Sequence, residues 1–486
     1  MTSPQHPRAL LSALYSAAVQ GAAPFPHTRR AVRSWFDARP SLPVDAPLFV
    51  IALGKAAPAM MAGALEALGP LGRHVHGGLA VAAHTPKPGD AGSDLPRHIR
   101  LLLGNHPVPG PASLDAADAL DDLLLEIEPG SIVLVLLSGG TTALCAAPVA
   151  SLAQAVGDAD RAQAHLAHLA QTLLESGLAI HEMNAIRRRV LRWGAGRLAV
   201  ALANRGVEHI PVFAISDVIG DDPAVIGSGP CTADPFDEAT FLALLDAHDM
   251  RPRVERVMAT VLGLEGASLP PRVPAADHAA FARVSYTLVA RNADAVHALA
   301  DKARSLGLMQ VQVQMEPLTG DAAELGDQLA RLALRAASDM QGDTLLVCGG
   351  EPVVNLRATA DRAMSRTEGE SLDEPWSDEP LLGGRMQLLA LSASLALEQA
   401  AAQGDHRAWK ITMLAAGTDG RDGPTDAAGA IVDAAVPALA RRAGRSPEDD
   451  LSTGRSWFPL DAADALLRPG PTGTNVMDVV ALLIRA

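Results

Sequence analysis

Runs of five to seven apolar residues recur along this chain of 486 residues, with longer helix-periodic stretches between most of them. That alternation limits the fold more than any other feature. Strands are expected at "PLFVIAL" (47–53), "GGLAVAA" (77–83), "IRLLL" (99–103), "SIVLVLL" (131–137), "IPVFAIS" (210–216), "YTLVA" (286–290), "VQVQM" (311–315), "TLLVC" (344–348), "VVNLR" (353–357) and "KITMLAA" (410–416). Several are apolar throughout, as strands covered on both faces are. Strands and helices in alternation argue for α/β layers with largely parallel sheets. With 48% hydrophobic and 20% charged residues, the chain has material for two or three domains.

Two stretches break the pattern. "LEGASLPPRVPAADHAAF" (264–281) is rich in Pro and Ala and reads as a joint. "ATADRAMSRTEGESLDEPWSDEP" (358–380) is acidic and polar. It reads as a long loop inside a domain, either a plain insertion or a lid. The formal net charge of -15 makes nucleic acid an unlikely target of the global field, while a local basic site for an anionic metabolite is allowed. Three cysteines give no disulfide framework, so a reducing cytoplasm is expected. No apolar run is long enough for a membrane span. Near the start, Leu10, Leu11, Leu14, Tyr15, Ala18 and Val19 fall at helical spacing, which favours an amphipathic helix over an export signal.

Chemistry concentrates where strands end. "FVIALGKAAPAMM" runs from a strand through Gly54 and Lys55 into a helix. A lysine there opposes the helix dipole and suits an anionic partner. After "IVLVLL" come Ser138, Gly139, Gly140, Thr141 and Thr142, whose backbone N–H groups could converge on an anion; an ordinary turn is equally open. "FAISDVIGDDPAVIGSGP" places Asp217, Asp221 and Asp222 after a strand and then Gly227, Ser228 and Gly229, a set suited to magnesium with phosphate oxygens or to Asx-turn chemistry. Glu351 follows Gly349 and Gly350, and Arg385 opens a strong helix. Asp419, Asp422 and Asp426 lie in "AAGTDGRDGPTDAAGA", where they are expected to ring a cleft and share a cation. "TGTNVMDVVALLI" is expected to start the last helix near Thr474 or Asn475. Most of Arg187, Arg188, Arg189, Arg192 and Arg197 are expected in solvent or on surface acids, with one or two holding a carboxylate or phosphate. His106 sits in a rigid turn, "GNHPVPG", with a structural or a substrate role. His165 and His168 share a helix face without a third metal ligand. Neither a P-loop nor a G-x-G-x-x-G fingerprint in a strand–helix setting occurs.

Taken in order, "ALGKAA", "NHPVPG", "LLSGGTTAL", "EMNAIRRRVLRWGAGRLA", "SDVIGDDPAVIGSGP", "CGGEPVV", "GGRMQ", "GTDGRDGPTDAAGA" and "TGTNVMD" resemble the class II glycerate kinase family across nearly the whole chain. The resemblance implies two α/β domains with a cleft between them. A Rossmann-like, mostly parallel DUF4147-type domain is expected over 1–270, with 281–340 as a further part of it allowed, and a smaller MOFRL-type domain over 341–486. It implies phosphate transfer from ATP, with Mg2+, to a hydroxyl of D-glycerate, usually the 2-hydroxyl. Lys55 and Arg385 match residues thought to be catalytic. Ser138, Gly139, Gly140, Thr141, Gly227, Ser228, Gly229, Gly349, Gly350 and Thr418 are then expected at phosphate or nucleotide. His106, Asn184, Arg187 and Arg197 are expected at the acceptor, and Asp217, Glu351 and Asp419 at the metal. The expected partners are a small hydroxy acid and a nucleotide, with no nucleic acid or membrane; a homodimer is left open.

The chain also departs from the family pattern. Met386 and Leu388 stand where the family usually has Asn and Glu, and Thr141 replaces a small residue. Arg189, Leu191, Gly194 and Ala195 depart from the usual basic segment. These changes suggest a retained phosphate site with an altered acceptor site. They keep open a kinase of another hydroxy acid, or a nucleotide-binding homologue without catalysis. A nicotinamide-dependent reductase of hydroxypyruvate is disfavoured by the absent fingerprint.

Overall fold

The computed structural model describes residues 6–149, 164, 166–169, 171, 173, 180–247, 251, 273–338, 342–354 and 381–486. The acidic stretch 358–380, His165 and the first half of the joint, 264–272, lie outside them. The chain forms two compact units, Pro24–Ala290 and the pair Met1–Ala23 with Arg291–Ala486. No helix among the described residues is long and apolar enough to cross a membrane.

The continuous unit holds a six-stranded sheet in the order β3-β2-β1-β4-β5-β6, made of β1 (Leu48–Leu53), β2 (Gly77–Ala82), β3 (Ile99–Leu103), β4 (Ile132–Leu137), β5 (Ile210–Ile215) and β6 (Val284–Ala290). Every pairing is parallel. All residues of β1, β2, β4 and β5 are buried, so their apolar runs have no polar face to show. Helices such as Ala57–Leu68 and Pro111–Glu126 run between consecutive strands. The strand order reverses between β1 and β4, and open α/β sheets bind ligands beyond the carboxyl ends at such a reversal.

The second sheet has the order β11-β10-β9-β12-β8-β7, from β7 (Gln310–Val313), β8 (Thr344–Gly350), β9 (Ile411–Gly417), β10 (Gly429–Asp433), β11 (Leu466–Leu467) and β12 (Asp478–Ile484). Only β7 and β8 pair in parallel; the remaining pairings are antiparallel, against the expectation of largely parallel sheets. The expected last helix is instead β12, lying between β9 and β8 with every residue buried. An unbroken apolar run fits a buried helix or a buried strand, and here seven residues flanked by sheet on both sides take the strand. Val353 makes only an isolated bridge to Asp321, so the described part of the expected strand at 353–357 is not one.

The unit boundary also differs from the one expected. The helix Pro7–Gly21 belongs with Arg291–Ala486, where it buries Leu10, Leu11, Leu14, Tyr15 and Ala18. Its close packing is visible at Gly21, where a Cβ would stand 2.2 Å from Ala298 Cβ.

Candidate functional site

The predicted residues fall into two groups, one in each unit. In the continuous unit, the turns after β1 and β4 are stitched together. Ser138 N–H donates to Leu53 O at 3.0 Å, Lys55 N–H to Gly139 O at 2.9 Å, and Ala56 N–H to Ser138 Oγ at 3.1 Å. Gly54, at φ 121°, has no room for a side chain, because a Cβ would stand 2.2 Å from Ser138 Oγ. The Thr141 hydroxyl turns inward and donates toward Leu53 O and Ser138 O, each at 2.8 Å. The hydroxyls of Ser138 and Thr141 therefore shape the turn.

Above this turn, Lys55 and His106 approach the same glycine. A Cβ on Gly140 would stand 3.1 Å from His106 Cδ2 and 3.3 Å from Lys55 Cγ. Lys55 is half-buried and His106 exposed. Thr142 and Ser228 join the turns after β4 and β5 through their hydroxyls at 2.8 Å. In Gly227–Gly229, the N–H groups of Ser228 and Gly229 donate to Val225 O and Ile226 O, so they do not form the expected anion cradle. Asp222 Oδ1 accepts from Ala224 N–H at 2.9 Å, a turn-forming role, while Asp217 is half-buried just beyond β5.

The basic segment corrects another expectation. Arg188 and Arg189 are buried rather than solvated and flank the buried Asp234 at 3.8 and 3.6 Å. Arg188 also donates to Ala224 O at 3.0 Å, and Arg189 stacks 4.2 Å over Phe241. Arg192 pairs with Asp118 and Asp121. Arg197, expected at the acceptor, donates to the carbonyls of Arg188, Leu191, Gly194 and Arg189. It ties down the end of the helix Ile180–Val190. Asn184 and Arg187 lie half-buried on that helix at a spacing of three, which puts them on one face. Arg187 Nε is buried without a hydrogen-bond partner.

In the other unit, Arg385 opens the helix Arg385–Ala402 and meets a group of carboxylates. Its Nε donates to Asp478 Oδ2 at 2.6 Å and its Nη2 to Asp478 Oδ1 at 3.2 Å; Nη1 lies 3.0 Å from Glu351 Oε1. Asp422 caps the same helix, accepting from Met386 N–H at 3.1 Å and Gln387 N–H at 2.7 Å. Gly384 makes that approach possible, since a Cβ there would stand 2.2 Å from the Asp422 carboxyl carbon. Burial pushes Asp422 up to about 7, against the pull of its backbone donors. Burial likewise pushes Asp478 up to about 6; Arg385 opposes the rise, while Glu351 and Asp419 add to it. Tyr15 completes the surroundings, its hydroxyl donating to Gly417 O at 2.8 Å, and burial with Asp419 and Asp478 nearby pushes the phenol up.

The three aspartates of "AAGTDGRDGPTDAAGA" do not share one cation. Asp422 caps a helix, and Asp426 accepts from Trp457 Nε1 and Arg468 Nε, each at 2.8 Å. Asp419 stands beside Asp478 of the Arg385 group: a Cβ on Gly417 would stand 3.3 Å from both Asp419 Oδ1 and Asp478 Oδ1. Among the described residues, no three or more His, Cys, Asp or Glu side chains stand as a ready metal cage. Thr418 is fully buried, its hydroxyl donating to Met477 O and accepting from Val476 N–H. Gly349 and Gly350 sit in β8, where a Cβ would meet Asn292 Oδ1 at 2.0 Å and Leu318 backbone at 2.4 Å. These three residues serve packing.

Met386 and Leu388 are 0% and 1% exposed in the apolar core. They do not line the Arg385 group, so they give no structural reason for an altered acceptor. Asp478 and Tyr15 were missed as site residues by the sequence reading, and Asp422 was read as a cation ligand rather than a helix cap. For Asp478 a signal existed: an acid directly before six apolar residues sits at the edge of a buried element and needs a partner.

The family described as "Domain of unknown function (DUF4147)" matches residues 10–263, more than half of the chain, and the MOFRL family matches residues 344–478. A "Glycerate 2-kinase" of Pyrococcus horikoshii is 29% identical over 449 residues, covering 91% of this chain and 88% of its own. A "Putative hydroxypyruvate reductase" of Agrobacterium vitis is 32% identical over 391 residues, covering 79% of this chain and 77% of its own. The crystal structure of a glycerate kinase from Thermotoga maritima has a TM-score of 0.71 at 26% identity, covering 98% of this chain and 99% of that one.

Proposed function

Since the chain belongs to the class II glycerate kinase family, with its DUF4147 and MOFRL parts, we propose that it is a cytosolic kinase transferring a phosphoryl group from ATP to the 2-hydroxyl of D-glycerate, assisted by magnesium. The end-to-end similarity to the Thermotoga maritima glycerate kinase structure supports this reading most. The free, buried state of Cys145, Cys231 and Cys348 supports the cytosolic assignment.

Phosphoryl transfer asks for positioning and charge neutralisation rather than covalent help from the protein. Bound magnesium would neutralise phosphate oxygens and orient them for in-line transfer. Glu351 and Asp419 would hold it; Asp217, the third expected ligand, belongs to the other unit. The donor set fits a hard cation, because Glu351, Asp419, Asp422 and Asp478 surround or adjoin one guanidinium and so carry a surplus of negative charge. The backbone N–H groups of 139–141 would cradle phosphate oxygens, and Lys55, close to Gly140, would meet charge growing on the transferred group. His106, beside Lys55, and Asn184 with Arg187 orient the acceptor. Arg385 holds the acceptor carboxylate or the moving phosphoryl.

The test is ADP release by the purified protein with ATP, magnesium and D-glycerate, and phosphorus NMR of the product. Glycerate-dependent ADP and a 2-phosphate are expected. Lys55→Ala and Arg385→Ala should each lower kcat by on the order of a hundredfold; unchanged turnover in both removes their assignment. ADP release with another hydroxy acid alone would replace the substrate. NADH oxidation with hydroxypyruvate, and no ATP use, would replace the reaction.

A further inference from the structure

Asp478 occupies the first position of β12, opposite Gly350 of β8 and Gly417 of β9. Neither neighbour has a side chain, which leaves space for a carboxylate at the sheet's edge. The side chain is 4% exposed, whereas that of its partner Arg385 is 33% exposed. Two donors on one edge of the guanidinium are engaged by Asp478, at 2.6 and 3.2 Å. A guanidinium carries five N–H donors, so with Nη1 also near Glu351 at least two remain for a ligand.

The backbone carrying Asp478 is itself fixed. Asn292 Nδ2 donates to Val476 O at 2.7 Å and to Asp478 O at 2.9 Å. The Thr418 hydroxyl bridges Met477 O and Val476 N–H. A buried ion pair is a poor device for stability alone, since apolar residues of similar volume often do as well. It is a good device for holding a planar cation in one orientation.

We infer that Asp478 is the positioning residue for Arg385: it sets the plane of the guanidinium so that the donors left over form a fork for a carboxylate or phosphoryl group. The identity of the group on the fork rests on the kinase reading; the hold on Arg385 does not.

Two measurements test this. The first needs no Asp478 variant. The Nε–H signal of Arg385 in 15N-labelled wild type, identified by its loss in Arg385→Lys, should be protected from solvent exchange. The second is kinetic. Asp478→Asn should lower activity by about a hundredfold through the same constant, kcat or KM, that Arg385→Lys changes. Asp478→Glu should restore part of it. The double variant Asp478→Asn/Arg385→Lys should be no worse than Arg385→Lys, because Asp478 acts only through the arginine. A freely exchanging Arg385 Nε–H overturns the inference. So does Asp478→Asn with wild-type kinetics, or a double variant whose losses multiply. A wild type without kinase activity but with the protected signal would sink the kinase reading and leave the hold on Arg385 standing.

Discussion

Asp422 places a carboxylate where water cannot reach it and sets it against the first two backbone donors after Arg385. Burial raises it from 3.8 to about 7. Below pH 3.8 the group is protonated in the folded and the unfolded chain alike. As pH rises toward 7, the unfolded chain gains a charge that the folded chain resists, so stability contributed by this group falls through that window and then levels. Asp422→Asn has no such titration. The stability of wild type relative to Asp422→Asn should therefore be greatest near pH 4 and shrink toward pH 8 in urea melts. A gap that widens with pH would mean the backbone donors outweigh burial. Met386 and Leu388 carry the opposite lesson. Restoring the usual family residues with Met386→Asn/Leu388→Glu would put an amide and a carboxyl into an apolar core. Each should cost about 1–3 kcal/mol or more, read as a lower Tm, with no gain of turnover. A gain of turnover would return these positions to the acceptor site.

At the scale of elements, the helix Ile180–Val190 is anchored to the segment after β5 by a buried charge cluster. Asp234 lies between Arg188 and Arg189, all three nearly inaccessible. Asp234→Ala would leave two guanidiniums buried without their counter-ion, which costs about 3–5 kcal/mol. The expected result is a large loss of Tm; a loss under about 1 kcal/mol would show the cluster to be solvated. This cluster was not legible in the sequence. Helical spacing in "HEMNAIRRRV" tells which arginines share a face, but not that protein covers that face, and Asp234 is distant in the chain. The parallel sheet was legible because both faces of its strands are buried, leaving unbroken apolar runs. The same signal misled at β12, where an identical kind of run belongs to a mixed sheet. The strand-end turns were legible as glycine-rich, and Lys55 and His106 both approach Gly140. Ser138, Thr141 and Thr418 were expected at phosphate or nucleotide; their hydroxyls bond the backbone, which competes for any hydroxyl placed beside it.

For the whole molecule, the consequential fact is that one unit is continuous in sequence and the other is not. The chain leaves the discontinuous unit after Ala23 and returns at Arg291. Residues 24–290 should therefore fold when expressed alone, since the parallel sheet is complete within them. Residues 291–486 alone would lack the helix Pro7–Gly21, exposing the surfaces that bury Leu10, Leu11, Leu14, Tyr15 and Ala18. They would also lose the Tyr15 bond to Gly417 O and the Thr474 bond to Ala22 O. With about 1.5–3 kcal/mol for each large apolar side chain, the loss exceeds the margin of many domains. Joining residues 1–23 to 291–486 should repair it with only a short linker. A Cβ on Gly21 would stand 3.0 Å from Asp294 O, so the end of the first helix already lies over the start of the helix Asn292–Ser305. The fused form should melt cooperatively and exclude a hydrophobic dye, while 291–486 alone should bind the dye and melt lower or not at all. Equal melting of the two forms would place the first helix outside the core it is assigned to, and Tyr15 with it.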